Sequence, residues 1–494
     1  MFELAESDPS LSDNEAKRLI PQLRTRLLRE QYKFLENKDR ALLILIGGID
    51  GAGKGDTINL LNDWMDARHI HTMAFTRPTE QDRIYPRQYR FWRALPAKGE
   101  IGIVFGSGYA PLMEEALKKR PDPDVLEDLI LAARRYEADL VANGVQVIKL
   151  WFHLSKKAQR ARMQTLLENP STAWKVAPED HDVPKRFKRL RQAAQRIIES
   201  TDSAHAPWVI IPAADENMRM VRTGQAVLQA LQNRSVRVPP LHDPAVLPTL
   251  KRQRNPLTEL DYSAQIDKDN YQTELLDWQN RLAKLVRSKA FLQKHALMVV
   301  FEGSDAAGKG GTIRRITQAI DARQYDIMPV AAPKPFELDR PYLWRFWRHV
   351  PRLGRISIFD RSWYGRVLVE RVEKLIPPSV WRRAYAEING FEQQLTHDGV
   401  LVVKFWLAIT PDEQLKRFKE REAHPYKQYK LTSEDWRNRR KWKSYENAAA
   451  DMLVHTDTSH AGWHLIPAND KRHARIEVLK QLVKRIEQAI DDDD

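Results

Sequence analysis

The stretch GGIDGAGKGDTI, Gly47 to Ile58, recurs in altered form as EGSDAAGKGGTI, Glu302 to Ile313. Its two lysines, Lys54 and Lys309, lie 255 residues apart, and the same offset holds far beyond the motif. It pairs Phe91-Trp92-Arg93 with Phe346-Trp347-Arg348, Lys149 with Lys404, and Trp208 with Trp463. Similarity between unrelated glycine loops fades within about a turn of helix, so an ungapped register of this length indicates tandem duplication of one domain. The proline-rich stretch between the copies lacks apolar periodicity, as a semi-rigid linker does. The expected division is a first domain over residues 1–235, a linker over 236–260 and a second domain over 261–494.

Within each copy, short aliphatic runs alternate with longer amphipathic stretches, the pattern of a parallel sheet flanked by helices in an α/β fold. In the second copy the expected strands are Leu297 to Phe301, Ile327 to Ala331, Ile356 to Asp360, Val400 to Leu407 and Trp463 to Ile466. A helical arm precedes the first of them, with Leu275, Trp278, Leu282 and Leu285 forming an apolar stripe. Such a stripe packs on the domain or on a partner.

The 494 residues include 42% hydrophobic and 30% charged side chains, a composition typical of folded globular protein. There is no cysteine, which excludes disulfide scaffolds, Cys-ligated metal centres and thiol nucleophiles. The 14 histidines show no paired HExxH spacing, which disfavours zinc hydrolase chemistry. The apolar runs are strand-sized and the start of the chain lacks a basic segment followed by an apolar one, so the expected location is the cytoplasm, with no membrane partner. A net charge of +14 points to a polyanionic partner.

Gly303-Ser304-Asp305-Ala306-Ala307-Gly308-Lys309 fits G-x-x-x-x-G-K between an expected strand and an expected helix. In that setting backbone N–H groups and the helix N-terminus cradle phosphate oxygens, and Lys309 adds a mobile positive charge. Gly310 and Gly311 stand where Ser or Thr would ordinarily hold magnesium, so a metal here needs another ligand, and Asp305 is the first candidate. Asp360 ends an apolar run about fifty residues on, which places a second carboxylate at the C-terminal edge of the sheet in the manner of a Walker B acid. Its neighbour Arg361 could contact a transferring phosphoryl group. Arg340, Arg345, Arg348, Arg352, Arg355, Arg361 and Arg366 crowd between the second and third strands, and Lys416, Arg417, Lys419, Arg421, Lys427 and Lys430 follow the fourth. Singly each reads as a solvated face; together they suggest a channel for a long polyanion, with a lid after the fourth strand.

At these residues the sequence resembles the polyphosphate kinases of family two, in their two-domain branch. FEGSDAAGKGGTIRRI (Phe301 to Ile316), APKP (Ala332 to Pro335), FDRSWYGRVLVE (Phe359 to Glu370) and HPYKQYKLTSED (His424 to Asp435) carry the likeness. The resemblance implies a thymidylate-kinase-like P-loop fold with a helical lid, dependence on Mg2+, and phosphoryl transfer between inorganic polyphosphate and a nucleoside phosphate (AMP/ADP). It implies catalytic roles for Asp305, Lys309, Asp360 and Arg361, with Asp305 and Asp360 on the metal. It implies phosphate contacts for Gly303, Gly308, Gly310, Arg348, Arg417, Arg421, Lys427 and Lys430, and places Arg366 and Glu370 near the acceptor nucleotide. Gly365 departs from the family's usual Asn. AMP as acceptor rests on the resemblance to the two-domain branch; a homo-oligomer is allowed, and no specific nucleic acid is expected. An ATP-dependent P-loop nucleotide kinase and a nucleic-acid-binding P-loop NTPase remain the alternatives.

The copies differ where chemistry is concentrated. At the 255 offset Phe105 stands for Asp360, Gly106 for Arg361, Pro111 for Arg366, Leu166 for Arg421 and Thr172 for Lys427, whereas Asp50, Gly53, Lys54 and Arg93 persist. The expectation is a catalytic second domain and a first domain that is structural or regulatory.

Overall fold

A computed structural model describes residues 1–176, 183–233, 255–429 and 431–492. The described chain has ten strands in chain order: β1 (Ala41–Gly48), β2 (Ile70–Ala74), β3 (Ile101–Phe105), β4 (Val145–His153), β5 (Trp208–Pro212), β6 (Ala296–Gly303), β7 (Tyr325–Pro329), β8 (Ile356–Asp360), β9 (Val400–Ala408) and β10 (Trp463–Pro467). They form two five-stranded sheets in the orders β2-β3-β1-β4-β5 and β7-β8-β6-β9-β10. Every neighbouring pair is parallel. The expected tandem α/β duplication is therefore what the chain forms.

The central strands read as unbroken apolar runs because helices cover both faces of a parallel sheet. Leu297, Val299 and Phe301 of β6 join Leu401, Val403 and Phe405 of β9 and Leu479, Leu482 and Val483 of the helix Lys471–Asp491 in one core cluster. Each such buried side chain contributes about 1.5–3 kcal/mol relative to exposure. The helix Lys268–Leu285 adds buried Tyr271, Leu275 and Leu282, with Trp278 and Leu285 packed against the same cluster. The arm's stripe thus covers its own domain, and Arg281 pairs with Glu487 at 2.7 Å beside it.

β7 starts two residues earlier than its apolar run suggests and ends at Pro329. It is an edge strand whose residues are largely exposed, so pairing with β8 rather than hydrophobicity sets its limits. The linker expected over 236–260 lies outside the described residues as far as 254.

The chain divides into two compact units. The first comprises Met1–Pro78, Arg90–Leu241 and Lys334–Trp344; the second comprises Thr79–Tyr89, His242–Pro333 and Arg345–Asp494. The two displaced segments correspond at the 255 offset. Within the second unit the Leu353 amide donates to Ile84 O at 2.8 Å and Arg87 Nε donates to Asp398 Oδ1 at 2.8 Å. Within the first, the Lys98 amide donates to Asp339 O at 2.9 Å.

Candidate active site

In the second unit β6 ends at Gly303, whose φ of +137° and close approach to Leu407 exclude a side chain: a Cβ there would lie 2.4 Å from the Leu407 carbonyl oxygen. The chain then wraps through Ser304 to Gly308 into the helix Lys309–Thr317. This is the strand, loop and helix that the G-x-x-x-x-G-K spacing requires. Lys309 Nζ donates to Gly303 O at 2.8 Å and Ser304 O at 3.2 Å, so the ammonium sits within its own loop. Burial pushes its pKa down, and the Asp305 carboxylate opposes that shift. Nothing crowds Gly310, and Arg475 Nη2 would lie 3.3 Å from a Cβ at Gly311, so an arginine of the last helix overlooks the first turn.

Parallel register sets Phe301 of β6 opposite Asp360 of β8, which brings the second acid beside the loop. Asp360 and Arg361 both influence the Lys309 charge. Arg361 has φ +64°, a left-handed conformation that costs a branched or long residue about 1 kcal/mol or more. Its amide donates to Phe301 O at 3.0 Å, which holds that turn. Arg361 Nη2 donates to Asp305 Oδ1 at 3.0 Å, and Asn438 Nδ2 donates to Asp305 Oδ2 at 2.8 Å. Asp305, Lys309, Asp360 and Arg361 thus converge on one loop.

Asn438 belongs to the helix Ser433–Arg440, in the region expected to form the lid. Tyr445 OH bonds Asn438 Oδ1 at 3.2 Å and Glu373 Oε1 at 3.2 Å, and Lys441 Nζ donates to Glu373 Oε2 at 2.6 Å. A polar chain therefore runs from the helix Ser433–Arg440 to Asp305 and Arg361.

The remaining expected residues are distributed differently. Arg417 is 2% exposed and donates to Ala306 O at 2.9 Å, Ala307 O at 3.1 Å, Ala468 O at 2.6 Å, Asn469 O at 2.9 Å and Glu413 Oε1 at 2.6 Å. Its guanidinium clamps the loop's backbone from below. Arg366 pairs with Glu370 at 3.3 Å on the short helices after Asp360. Arg348 is exposed beyond Trp344–Trp347, and Arg421 lies in the last turn of the helix Pro411–Glu422. Lys427 lies in Pro425–Gln428, whereas Lys430 lies outside the described residues. Of the wider cation cluster, Arg355 is engaged at the sheet edge with Asp326 at 2.9 Å, and Arg340 belongs to the first compact unit.

Sequence reading misses Glu302, the residue before Gly303. It is 4% exposed and accepts from Ser362 Oγ at 2.8 Å, tying the start of the loop to the turn that carries Arg361. Burial pushes its pKa up, with Ser362, Lys309 and Arg361 acting against that. The comparison of copies that exposes Phe105 also contains this position, since Gly47 stands opposite Glu302. Asn438 carried no spacing signal, being embedded in a run of cations.

Among the described residues no group of three or more His, Cys, Asp and Glu side chains is arranged to hold a metal ion. The loop and the end of β8 beside it offer two carboxylates, Asp305 and Asp360. That donor set fits magnesium, which takes one or two carboxylates and completes its shell with water and substrate phosphate oxygens. Among the described residues no helix is long and apolar enough to cross a membrane.

The first unit repeats the loop with a different surround. Lys54 Nζ donates to Gly48 O at 2.8 Å and Asp50 Oδ1 at 2.9 Å, and lies 5.9 Å from the Phe105 ring centroid. Gly106 keeps the left-handed turn, φ +73°, without a side chain.

Fold and loop together define a P-loop, kinase-like protein of two tandem units, both with the loop lysine and a loop aspartate and only the second with an acid and an arginine after its third strand. The family model for polyphosphate kinase 2 matches residues 10–239 and again 265–494, and the chain belongs to that family. It is 44% identical over 492 residues to the polyphosphate:AMP phosphotransferase of Pseudomonas syringae pv. tomato and 45% identical over 495 residues to that of Pseudomonas aeruginosa, in each case over 99% of both chains. A crystal structure described as a polyphosphate kinase 2 from Pseudomonas aeruginosa PA01 superposes with a TM-score of 0.89 at 44% identity, covering 99% of both chains.

Proposed function

We propose that the second unit transfers the terminal phosphoryl group of inorganic polyphosphate to AMP, giving ADP, with Mg2+ as cofactor. The observation that carries this reading is the convergence of Lys309, Asp305, Asp360 and Arg361 on one phosphate loop, in a chain similar end to end to relatives named for this reaction. An oxygen of the AMP phosphate attacks the terminal phosphorus. The anhydride bond to the next phosphate breaks, and the shortened chain leaves with the electron pair. Such transfer needs positioned cations around in-line oxygens and no covalent protein intermediate. Lys309 and the loop amides hold the donor's phosphate oxygens, and Arg361, kept in place by its backbone bond to Phe301 and by Asp305, faces the transferring group. When bound by Asp305, Asp360 and phosphate oxygens, magnesium supplies further charge neutralisation there. Arg366 and Glu370 stand on the acceptor side. Purified protein given AMP, polyphosphate and Mg2+ without ATP is expected to form ADP, followed by chromatography. Product that appears only when ATP is the donor would overturn this reading in favour of an ATP-dependent kinase. Hydrolysis stimulated by nucleic acid would instead select an NTPase.

A further inference from the structure

The first unit keeps Asp50 but lacks counterparts of Asp360 and Arg361, while another helix brings an extra cation to its loop. Arg219, on the helix Glu216–Gln232, is 1% exposed and stands where the second unit has Ala474. Its guanidinium lies against the N-terminus of the eleven-residue helix Lys54–Trp64: a Cβ added to Gly53 would be 2.8 Å from Arg219 Cζ, 3.0 Å from Arg219 Nε and 2.9 Å from Arg162 Nη2. Arg219 Nη1 donates to Ala213 O at 3.1 Å, and Nη2 is 4.0 Å from Glu216. The Nε groups of Arg219 and Arg162 are both buried without a hydrogen-bond acceptor.

Two guanidiniums packed together over a helix N-terminus repel each other, and burial with the like charge of Arg162 pushes the Arg219 pKa down. A buried unsatisfied donor costs about 1–3 kcal/mol, more when charged. Three carboxylates act on Arg219, those of Glu216, Asp56 and Asp215, and Asp56 also pairs with Arg162 at 3.2 Å and Lys175 at 3.0 Å, while Asp50 pairs with Lys54. None supplies an acceptor to the two Nε atoms. In the second unit the residue matching Arg162 is Arg417, whose Nε is paired with Glu413.

We propose that the first unit's loop is a metal-independent site for phosphate groups of inorganic polyphosphate, held by Lys54, Arg162, Arg219 and the loop amides. Phosphate oxygens supply the acceptors that the guanidiniums lack, and the helix dipole favours the negative charge. With Phe105 in place of the acid, binding there needs no divalent cation and leads to no transfer. The choice of polyphosphate rests on the function proposed above; a binding assay without turnover keeps the two separable.

The test is calorimetric titration of the Lys309→Ala chain with tripolyphosphate in EDTA, with AMP as a parallel titrant. One tripolyphosphate site per chain is expected, weakened at least tenfold by adding Arg219→Met and, independently, by adding Lys54→Ala. Lys54 is partly exposed, so its variant answers the question even where Arg219→Met fails to fold. Absence of binding, or binding that Lys54→Ala leaves undiminished, overturns the proposal, as does AMP binding this site more tightly than tripolyphosphate. None of these outcomes bears on whether the intact protein forms ADP.

Discussion

Glu302 shows how a single buried side chain can act through another. Its carboxylate touches neither the loop lysine nor the arginine by hydrogen bond; it holds Ser362, two residues after Asp360. Ser362 in turn accepts from the Tyr364 amide at 3.3 Å, so the bond shapes the turn in which Arg361 sits at positive φ. Glu302→Ala is expected to lower kcat by about 10–100-fold, the usual range for residues that orient catalytic groups, with little change in the KM for AMP. Glu302→Gln still accepts from Ser362 and is expected to keep most of the rate. Equal loss in both folded variants, measured by steady-state ADP formation, would mean that the charge and not the positioning matters.

At the scale of elements, a buried ion pair fastens the turn after β8 to its neighbours. Lys404 of β9 and Glu392 of the helix Pro378–His397 are both fully buried and 2.8 Å apart. Lys404 Nζ also donates to Thr456 O at 2.7 Å and Tyr364 OH at 2.9 Å, while Trp363 Nε1 and Tyr364 OH donate to Glu392 Oε1 at 3.0 and 2.7 Å. Burial pushes the Lys404 pKa down, and Glu392 opposes it. The first unit repeats the arrangement with Lys149, Glu137 at 2.8 Å and Tyr109, although its turn carries no acid or arginine. A cluster kept in both units, whether or not the turn carries the acid and the arginine, serves the architecture. Lys404→Met strands a buried carboxylate and is expected to cost the second unit about 3–5 kcal/mol in urea unfolding. Lys404→Met with Glu392→Met removes both charges and is expected to recover a large part of that loss. A double variant no more stable than the single one would show that the pair is not what holds these elements.

For the molecule as a whole, each unit serves as the other's internal control. Lys54 and Lys309 occupy equivalent loops and bond equivalent carbonyls, at Gly48 and Gly303. Lys309→Ala is expected to reduce turnover by a hundredfold or more, on the order seen when a charge-stabilising group is lost. Lys54→Ala is expected to lower kcat by less than about twofold and to act through a raised apparent KM for polyphosphate. Equal collapse of kcat in two folded variants would place the first unit in the chemistry and refute the reading of Phe105.

Much of this was legible in the residues themselves. Duplication, parallel sheets and the phosphate loop follow from local signals: an ungapped 255-residue register, unbroken apolar runs, and glycines with a lysine at fixed spacing. The loss of Asp360 and Arg361 in the first copy needs only one copy set against the other. What lies across the sequence was decided by folding. The clamp that Arg417 places on Ala306 and Ala307, the reach of Asn438 to Asp305 and the approach of Arg219 to Gly53 join residues more than a hundred positions apart. A cation in a basic run looks the same in sequence whether it binds substrate, braces a loop or lies in solvent, because its role is set by which acceptors surround it once the chain is packed. The crosswise assignment of Thr79–Tyr89 and Lys334–Trp344 to the compact units has the same origin: periodicity reports which face of an element is buried, whereas the body that buries it is chosen only by tertiary contact.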